Sequence, residues 1–191
     1  MEKTRLGARV ALYPLPIVLV GALVGERPNY LTVAYCGIVQ HDPPMLAVSL
    51  SRGQYTTPGV RERGTFSVNV PSTDMVRLVD HCGIVSGRSE DKAALFTTFY
   101  GDLETAPMIA ECAVNLECRV VAEPDLPGAN ALFIGEIVQV HADPRCLRDD
   151  VPDIKRINPV LFAIHQNVYW RLGQPIGEAW SIGRHWSPPR D

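Results

Sequence analysis

Several functional signatures are absent from this chain, and each absence excludes a class of protein. The 191 residues contain no Cys-x-x-Cys pair, no zinc-ligand spacing among the histidines, no Gly-x-Gly-x-x-Gly turn and no Gly-x-Ser-x-Gly elbow. These absences argue against a metal site, a Rossmann domain and a serine-nucleophile hydrolase. The net charge is only −3, so the basic field expected of a nucleic-acid-binding protein is also missing.

A disulfide framework is equally unlikely from the cysteines. There are five of them, an odd number. Unpaired cysteines are typical of a reducing compartment, so we expect a cytoplasmic protein. Cys36 and Cys82 could serve as redox or nucleophilic thiols, but buried cysteine usually acts as a small hydrophobic side chain.

The sequence also lacks an apolar run long enough to cross a membrane. The apolar stretch at residues 10–24 is interrupted by Pro14 and Pro16, and a spanning helix needs about 20 residues. Basic residues precede this stretch as in a signal peptide, but no small-x-small cleavage site follows it. We therefore expect a strand here and no membrane association.

The elements that are present are short and mostly extended. Sixteen prolines and fifteen glycines are spread along the chain, which favours many short elements joined by turns. Alternating or β-branched patterns predict strands at residues 17–24, 29–39, 45–51, 65–70, 113–121, 131–141, 160–165 and 168–172. The pattern predicts one mainly β domain over residues 1–191, an antiparallel barrel with short helical insertions.

Cap residues place the predicted helices. Thr57 is expected to cap a helix that has Pro58 at its first position and ends at Gly64. Ser72 or Thr73 should cap a second helix that runs to about residue 82, with Gly83 as its terminator. Ser89 should cap a further helical turn.

Two loop-to-helix junctions could hold a phosphate. Residues 49–58 place several hydroxyls before a helix start, and residues 86–92 combine Ser86, Gly87 and Ser89 with Arg88 and Lys92. Free backbone N–H groups and a nearby cation are what an anion requires. Either junction alone is more commonly a helix cap beside a solvated surface.

One predicted strand offers a surface for a flat ligand. On the strand at residues 29–39, Thr32, Ala34 and Cys36 share one face, and all three are small. A planar group could lie against such a face. The aromatic side chains near the C-terminus are expected in the core or an interface rather than around a cofactor; they are Tyr169, Trp170, Trp180 and Trp186.

An ordered series of motifs resembles the flavin reductase-like, FMN-binding split-barrel family, and within it the flavoredoxins. The series comprises residues 16–21, 29–35, 42–49, 55–56, 64–71, 82–83, 86–88, 91–92, 111–112, 116–118 and 133–137. The resemblance implies a six-stranded antiparallel Greek-key split β-barrel. It also implies a homodimer with FMN near the subunit interface.

The resemblance assigns flavin-binding residues position by position. Asn29 and Thr32, with Ala34 on the same small face, would line the flavin, and Tyr35 stands where relatives often have tryptophan. The hydroxyl-rich strand end and the two junctions would contact the ring, the ribityl chain and the phosphate; these residues are Ser49, Leu50, Ser51, Tyr55, Thr56, Ser86, Gly87, Arg88 and Lys92. Asn130 replaces a histidine common in relatives, and Phe162 matches a C-terminal aromatic near the flavin.

Three functions fit the sequence. The first is an NAD(P)H-dependent flavin reductase that passes electrons to free flavin, a monooxygenase or another acceptor. The second is a flavoredoxin-type electron carrier with tightly bound FMN and a redox partner protein. The third is an interaction module that has lost flavin. Because the cofactor carries the redox chemistry, no catalytic side chain is required.

Overall fold

The computed structural model describes residues 2–184 and 186–187. Its strands are β1 Leu15–Pro16, β2 Val18–Val24, β3 Arg27–Val33, β4 Cys36–Gln40, β5 Met45–Ser51, β6 Thr65–Val70, β7 Thr98–Phe99, β8 Met108–Ile109, β9 Val114–Ala122, β10 Asn130–Ala142, β11 Leu147–Arg148, β12 Val151–Pro152, β13 Leu161–Ala163 and β14 Val168–Trp170. The α-helices are α1 Thr56–Arg63, α2 Val76–Ile84 and α3 Ile154–Ile157, and 3₁₀ turns cover Thr73–Met75, Lys92–Leu95 and Pro144–Cys146.

One curled antiparallel sheet forms the barrel. Its seven strands follow the order β3-β2-β6-β9-β10-β5-β4. The two edge strands, β3 and β4, are consecutive parts of one chain segment that bends at residues 34–35. This bent segment borders both β2 and β5, so it joins the two edges of the sheet. The bend thus reconciles seven assigned strands with the six-stranded split barrel that the family resemblance implied.

The core has two main parts, one on each side of β2. Val18, Val20 and Ala22 face the barrel interior with Leu31, Val48, Phe66 and Phe133. Ile17 and Leu19 face outward, where they pack beneath α2 and the C-terminal hairpin with Tyr30, Val79, Phe96 and Val160. The apolar pattern of β2 on both faces is therefore explained by burial on both sides.

Hydrogen bonds from buried polar side chains hold the segment at residues 97–112 against the outside of the sheet. Asn69 accepts a hydrogen bond from the Ile109 backbone N–H at 3.0 Å, and Asn115 donates to the Ile109 carbonyl at 2.8 Å. Tyr30 donates to the Met108 carbonyl at 3.1 Å. These contacts satisfy buried polar groups that would otherwise destabilise the sheet.

The structure corrects several predicted boundaries. The single strand expected at residues 29–39 is interrupted at the bend. Helix α1 begins at Thr56 with Tyr55 at the cap position, and the Thr57 hydroxyl donates instead to the Ser51 carbonyl at 2.7 Å. Gly64 does end this helix, in a left-handed conformation with φ of 64°.

The other two predicted caps are also replaced. A 3₁₀ turn precedes α2, and neither Ser72 nor Met75 makes a side-chain cap. Gly83 lies inside α2 instead of ending it, because the helix continues to Ile84. The last predicted turn begins at Asp91, whose carboxylate accepts from the Ala93 N–H.

Two further absences apply to the described residues. Within residues 2–184 and 186–187, no helix is both long enough and apolar enough to span a bilayer. In the same part of the chain, no three His, Cys, Asp or Glu side chains come together as a metal-binding group.

Candidate functional site

A cleft lies at the bend between β3 and β4. We call it the neutral cleft; its volume is about 280 Å³, and it is lined by Thr32, Val33, Ala34, Tyr35, Ser49, Ser51, Gln54, Asn130, Phe162 and Ile164. The bend supplies one wall, the ends of β5 and β10 supply another, and β13 supplies the third. Residues far apart in sequence therefore meet here because the barrel closes at this point.

The lining of the neutral cleft contains no Asp, Glu, Lys, Arg or His among the described residues. Its polar groups are hydroxyls and amides, and the Asn130 amide donates to the Ser49 hydroxyl at 3.1 Å. Phe162 packs against Tyr169 with ring centroids 5.5 Å apart, and Tyr169 donates to Asp80 at 2.8 Å. This lining suits a planar aromatic group with a hydrogen-bonding edge.

A second cleft lies where the chain after β5 meets the chain after α2. This cationic cleft has a volume of about 210 Å³ and is lined by Leu31, Gly53, Gln54, Tyr55, Thr56, Gly83, Ile84, Val85, Ser86, Gly87, Arg88 and Lys92. Both junctions proposed from the sequence contribute to it. Hydroxyls and two cations converge here, and this is the donor set that a phosphate requires.

Lys92 is the buried cation of this cleft. Its side chain is only 2% exposed, and Nζ donates to the Cys82 carbonyl at 3.0 Å and to the Val85 carbonyl at 3.2 Å. An ammonium has three N–H donors, so one remains for a ligand. Burial lowers the pKa of Lys92 below its usual value, and the ion pairs of the described residues include no carboxylate on it. An anion bound in the cleft would pair with the positive charge of Lys92 and oppose this lowering of its pKa.

Thr56 supplies a buried hydroxyl at the start of α1. The Asn29 amide donates to the Thr56 hydroxyl oxygen at 2.7 Å, and Thr56 is 1% exposed. Because its oxygen already accepts this bond, the Thr56 hydroxyl proton is available to an acceptor in the cleft. Asn29 itself lines a neighbouring outer cleft together with Tyr55, Gly87, Arg88 and Lys92.

Gly87 separates the cationic cleft from the outer cleft. A Cβ at this position would lie 2.2 Å from Asn29 Oδ1 and 2.5 Å from Tyr55 Cδ1. Those distances are too short for any side chain, so the close approach requires glycine. The result is a narrow wall of backbone beside Thr56 and Lys92.

Arg88 holds the two junctions together. Its guanidinium lies over the Tyr55 ring at 5.6 Å from the centroid and donates to the Gly53 carbonyl at 3.2 Å. Such a stacked cation is partly desolvated while its remaining N–H groups stay free. Arg88 is therefore placed to contribute positive charge at the mouth of the cationic cleft.

The two clefts meet at a shared residue. Gln54 lines both. Each cleft alone is smaller than the roughly 300 Å³ at which ligand pockets begin, whereas the two together exceed that size. The arrangement fits an elongated ligand with a planar uncharged end and an anionic end.

The structure brings nearly all of the predicted site residues to these clefts. The neutral cleft contains Thr32, Ala34, Tyr35, Ser49, Ser51, Asn130 and Phe162, the cationic cleft contains Tyr55, Thr56, Ser86, Gly87, Arg88 and Lys92, and Asn29 contacts Thr56. Leu50 differs, because its side chain is 1% exposed and lies in the barrel interior. Leu50 is therefore absent from the linings of both clefts.

Cys36 does not share the face of Thr32 and Ala34. The bend turns the chain, so Cys36 packs against the barrel interior while Ala34 packs beneath α2. The flat wall of three small residues that the sequence suggested is therefore reduced to two. The sequence also missed Gln54 and Ile164; Gln54 lies within the predicted junction, but nothing in its spacing distinguishes it.

Burial disfavours the thiolate form of Cys36 and Cys82, the two candidate redox thiols. Burial raises the pKa of both Cys36 and Cys82 to about 11. A thiol is nucleophilic only when it is deprotonated. Buried Cys82 and half-buried Cys36 therefore act as packing residues.

Comparisons with known proteins agree with this geometry. Residues 10–163 match the family model described as "Flavin reductase like domain". An uncharacterized protein from Archaeoglobus fulgidus is 36% identical over 146 residues, which cover 75% of this chain and 80% of that protein.

Two solved structures cover nearly the whole chain. Flavoredoxin from Methanosarcina acetivorans is 42% identical with a TM-score of 0.93, and the match covers 96% of this chain and 98% of that one. Flavoredoxin of Desulfovibrio vulgaris (Miyazaki F) is 38% identical with a TM-score of 0.89, and the match covers 96% of this chain and 100% of that one.

Proposed function

The chain belongs to the flavin reductase-like family, and from this premise we propose that it binds FMN and transfers electrons from NADH or NADPH through it to an acceptor. The observation that carries the proposal is the junction of an uncharged cleft with a cationic one at Gln54. FMN has the matching form, a planar ring joined by a polyhydroxyl chain to a phosphate.

The cationic cleft is proposed to hold the phosphate. Lys92 would use its remaining N–H, Thr56 its hydroxyl proton, and Arg88 its free guanidinium donors. Charge-assisted hydrogen bonds each contribute about 1.5–3 kcal/mol, while micromolar binding needs about 8 kcal/mol. Burial of the ring must therefore supply a substantial part of the affinity.

The neutral cleft is proposed to hold the ring. Thr32 and Ala34 would form its floor, Phe162 would pack against it, and Ser49 and Asn130 would bind its polar edge. Tyr35 at the rim is 38% exposed, so the cleft remains accessible to a second molecule such as a nicotinamide. The bound flavin would supply the hydride and single-electron chemistry.

This chain's own residues would then bind and orient the flavin and perform no acid–base step. The neutral cleft has no side chain that titrates near neutral pH among the described residues. Protons would therefore come from solvent.

An electron carrier of the flavoredoxin type is the second candidate. It is favoured by the two flavoredoxin structures, which are 42% and 38% identical over 96% of this chain. In that case a redox partner protein would deliver or receive the electrons, and nicotinamide would reduce the flavin slowly.

A homodimer is proposed for either function. Apolar side chains at both ends of the described chain are exposed, among them Leu12 at 74% and Trp180 at 91%. A second copy would cover them, and the oligomeric state measured by light scattering tests this.

Anaerobic mixing of the FMN-loaded protein with NADH or NADPH separates the candidates. The absorbance of the bound flavin is followed, with free FMN under the same conditions as control. Reduction faster than in the control supports the reductase. Bound FMN that is reduced no faster supports the electron carrier. A protein that binds no FMN contradicts both.

A further inference from the structure

Gln54 has a fixed orientation and an unused donor. Its side-chain oxygen accepts from the Ser51 backbone N–H at 3.0 Å. Because a backbone N–H can only donate, the oxygen must be the end of the amide on Ser51, and Nε2 must be the opposite end. Among the hydrogen bonds of the described residues none uses Gln54 Nε2, and every buried side-chain nitrogen or oxygen there has a partner. Gln54 Nε2 is therefore accessible to solvent, on a side chain that lines both clefts.

The position of Gln54 identifies the part of a ligand that it would meet. The linings of the neutral and cationic clefts share this one residue among those described. A ligand with its ring in one cleft and its phosphate in the other must pass the shared wall with its connecting segment. In a flavin nucleotide this segment is the ribityl chain, whose hydroxyl oxygens accept hydrogen bonds.

We propose that Gln54 binds the ribityl chain and so selects flavins that carry one. This inference rests on the proposed function. The charged residues cannot substitute for Gln54, because Arg88 and Lys92 line the cationic cleft and not the neutral one. The backbone supports its position, since the Gln54 N–H donates to Ser51 O at 3.1 Å and its carbonyl accepts from Thr57 N–H at 3.3 Å.

The test uses three flavins of decreasing length with wild type and Gln54→Met. FMN has ring, ribityl chain and phosphate, riboflavin lacks the phosphate, and lumiflavin lacks both. Affinities are measured from flavin fluorescence on binding. Gln54→Met should weaken FMN and riboflavin by about three- to tenfold each, and lumiflavin by less than about twofold. Equal weakening of all three flavins, or of none, would overturn the assignment.

Gln54→Glu separates ligand contact from loop support. The glutamate can still accept from the Ser51 N–H, so the loop keeps its hydrogen bond, but it replaces the free donor with a charged acceptor. FMN affinity should fall about tenfold or more, and more so at low salt, because the carboxylate repels the phosphate. Wild-type affinity for FMN in Gln54→Glu would show that Gln54 only supports the loop.

The wild type distinguishes failure of this inference from failure of the proposed function. If wild type binds none of the three flavins, the proposed function is wrong. If wild type binds FMN and the Gln54 variants match it with every flavin, only the role of Gln54 is wrong.

Discussion

The neutral and cationic clefts lie side by side but are built from different kinds of structure. The neutral cleft is formed mainly by strands β5, β10 and β13 and by the bend after β3. The cationic cleft is formed mainly by chain after β5 and after α2 that lies outside the strands. One therefore depends on barrel closure and burial, and the other on a few directed donors and two cations.

This difference predicts that the two clefts respond to different ligands and conditions. Loss of the donor on Lys92, Arg88 or Thr56 should affect a ligand only if it carries a phosphate, whereas loss of the Gln54 donor should affect any ligand with a ribityl chain. A change in the neutral cleft should affect every flavin. Salt and pH should act mainly through the cationic cleft, since the charges are there.

The largest expected effect comes from Lys92→Met, which removes the buried cation and keeps most of the apolar stem. FMN binding should weaken by about 1.5–3 kcal/mol, roughly 10- to 150-fold, because a charge-assisted hydrogen bond is lost. Riboflavin binding should change little, since riboflavin has no phosphate. Titration calorimetry with both ligands measures the difference. Equal losses for FMN and riboflavin would mean that Lys92 supports the whole site through α2.

The same residue predicts a pH dependence. Burial lowers the pKa of Lys92, and only the charged form pairs with phosphate. Wild-type affinity for FMN should therefore be greatest while Lys92 is protonated and fall as the pH rises through this lowered pKa. Lys92→Met should show no such fall over that range. A parallel decline in both proteins would assign the titration to another group.

Gly87→Ala should have the second largest effect. The new Cβ would overlap Asn29 and Tyr55 at 2.2 and 2.5 Å, so the Asn29–Thr56 hydrogen bond must shift. Displacement of the Thr56 hydroxyl should cost the phosphate one hydrogen bond, about 1 kcal/mol or about fivefold in FMN affinity. Gly53→Ala is the matched control, because Gly53 lines the same cleft with nothing within 4 Å of its added Cβ. Indistinguishable affinities for the two variants would contradict the proposed wall.

The smallest expected effect tests the neutral cleft. Asn130→His introduces a titratable side chain beside the Ser49 hydroxyl. Riboflavin, which is uncharged, should bind wild type with little pH dependence between about pH 5.5 and 8. The variant should bind it about two- to threefold more tightly below about pH 6.5, because the protonated imidazole gains a donor. A titration near that pH in wild type would reveal an ionisable group facing the ring.

The sequence was sufficient to predict most of the barrel. The β-branched and alternating patterns of β2, β5, β6, β9 and β10 located these strands, because strand patterns depend on burial that repeats every second residue. The prediction that α1 ends at Gly64 was also confirmed. It depends only on local backbone conformation, since a left-handed residue at a helix end favours glycine. The fifteen predicted flavin-binding residues came from the resemblance together with the two junctions and the small-residue face, and their contacts with a flavin stay a prediction.

The features that were missed depend on contacts between distant segments. The strand interruption at residues 34–35 results from closure against β5, which alternation along one strand does not encode. Gln54 could not be singled out for the same reason, since its importance comes from where two clefts meet.

The bend at residues 34–35 has a consequence for how this protein could vary among relatives. Inserting or deleting one residue there would reverse the side-chain alternation of β4 and turn Cys36, its one half-buried residue, away from the barrel interior. Binding sites elsewhere often diversify by changes in loop length. Here the bend at residues 34–35 both forms one wall of the site and joins the two edges of the sheet. This wall could therefore diversify by substitution of its residues but not by insertion.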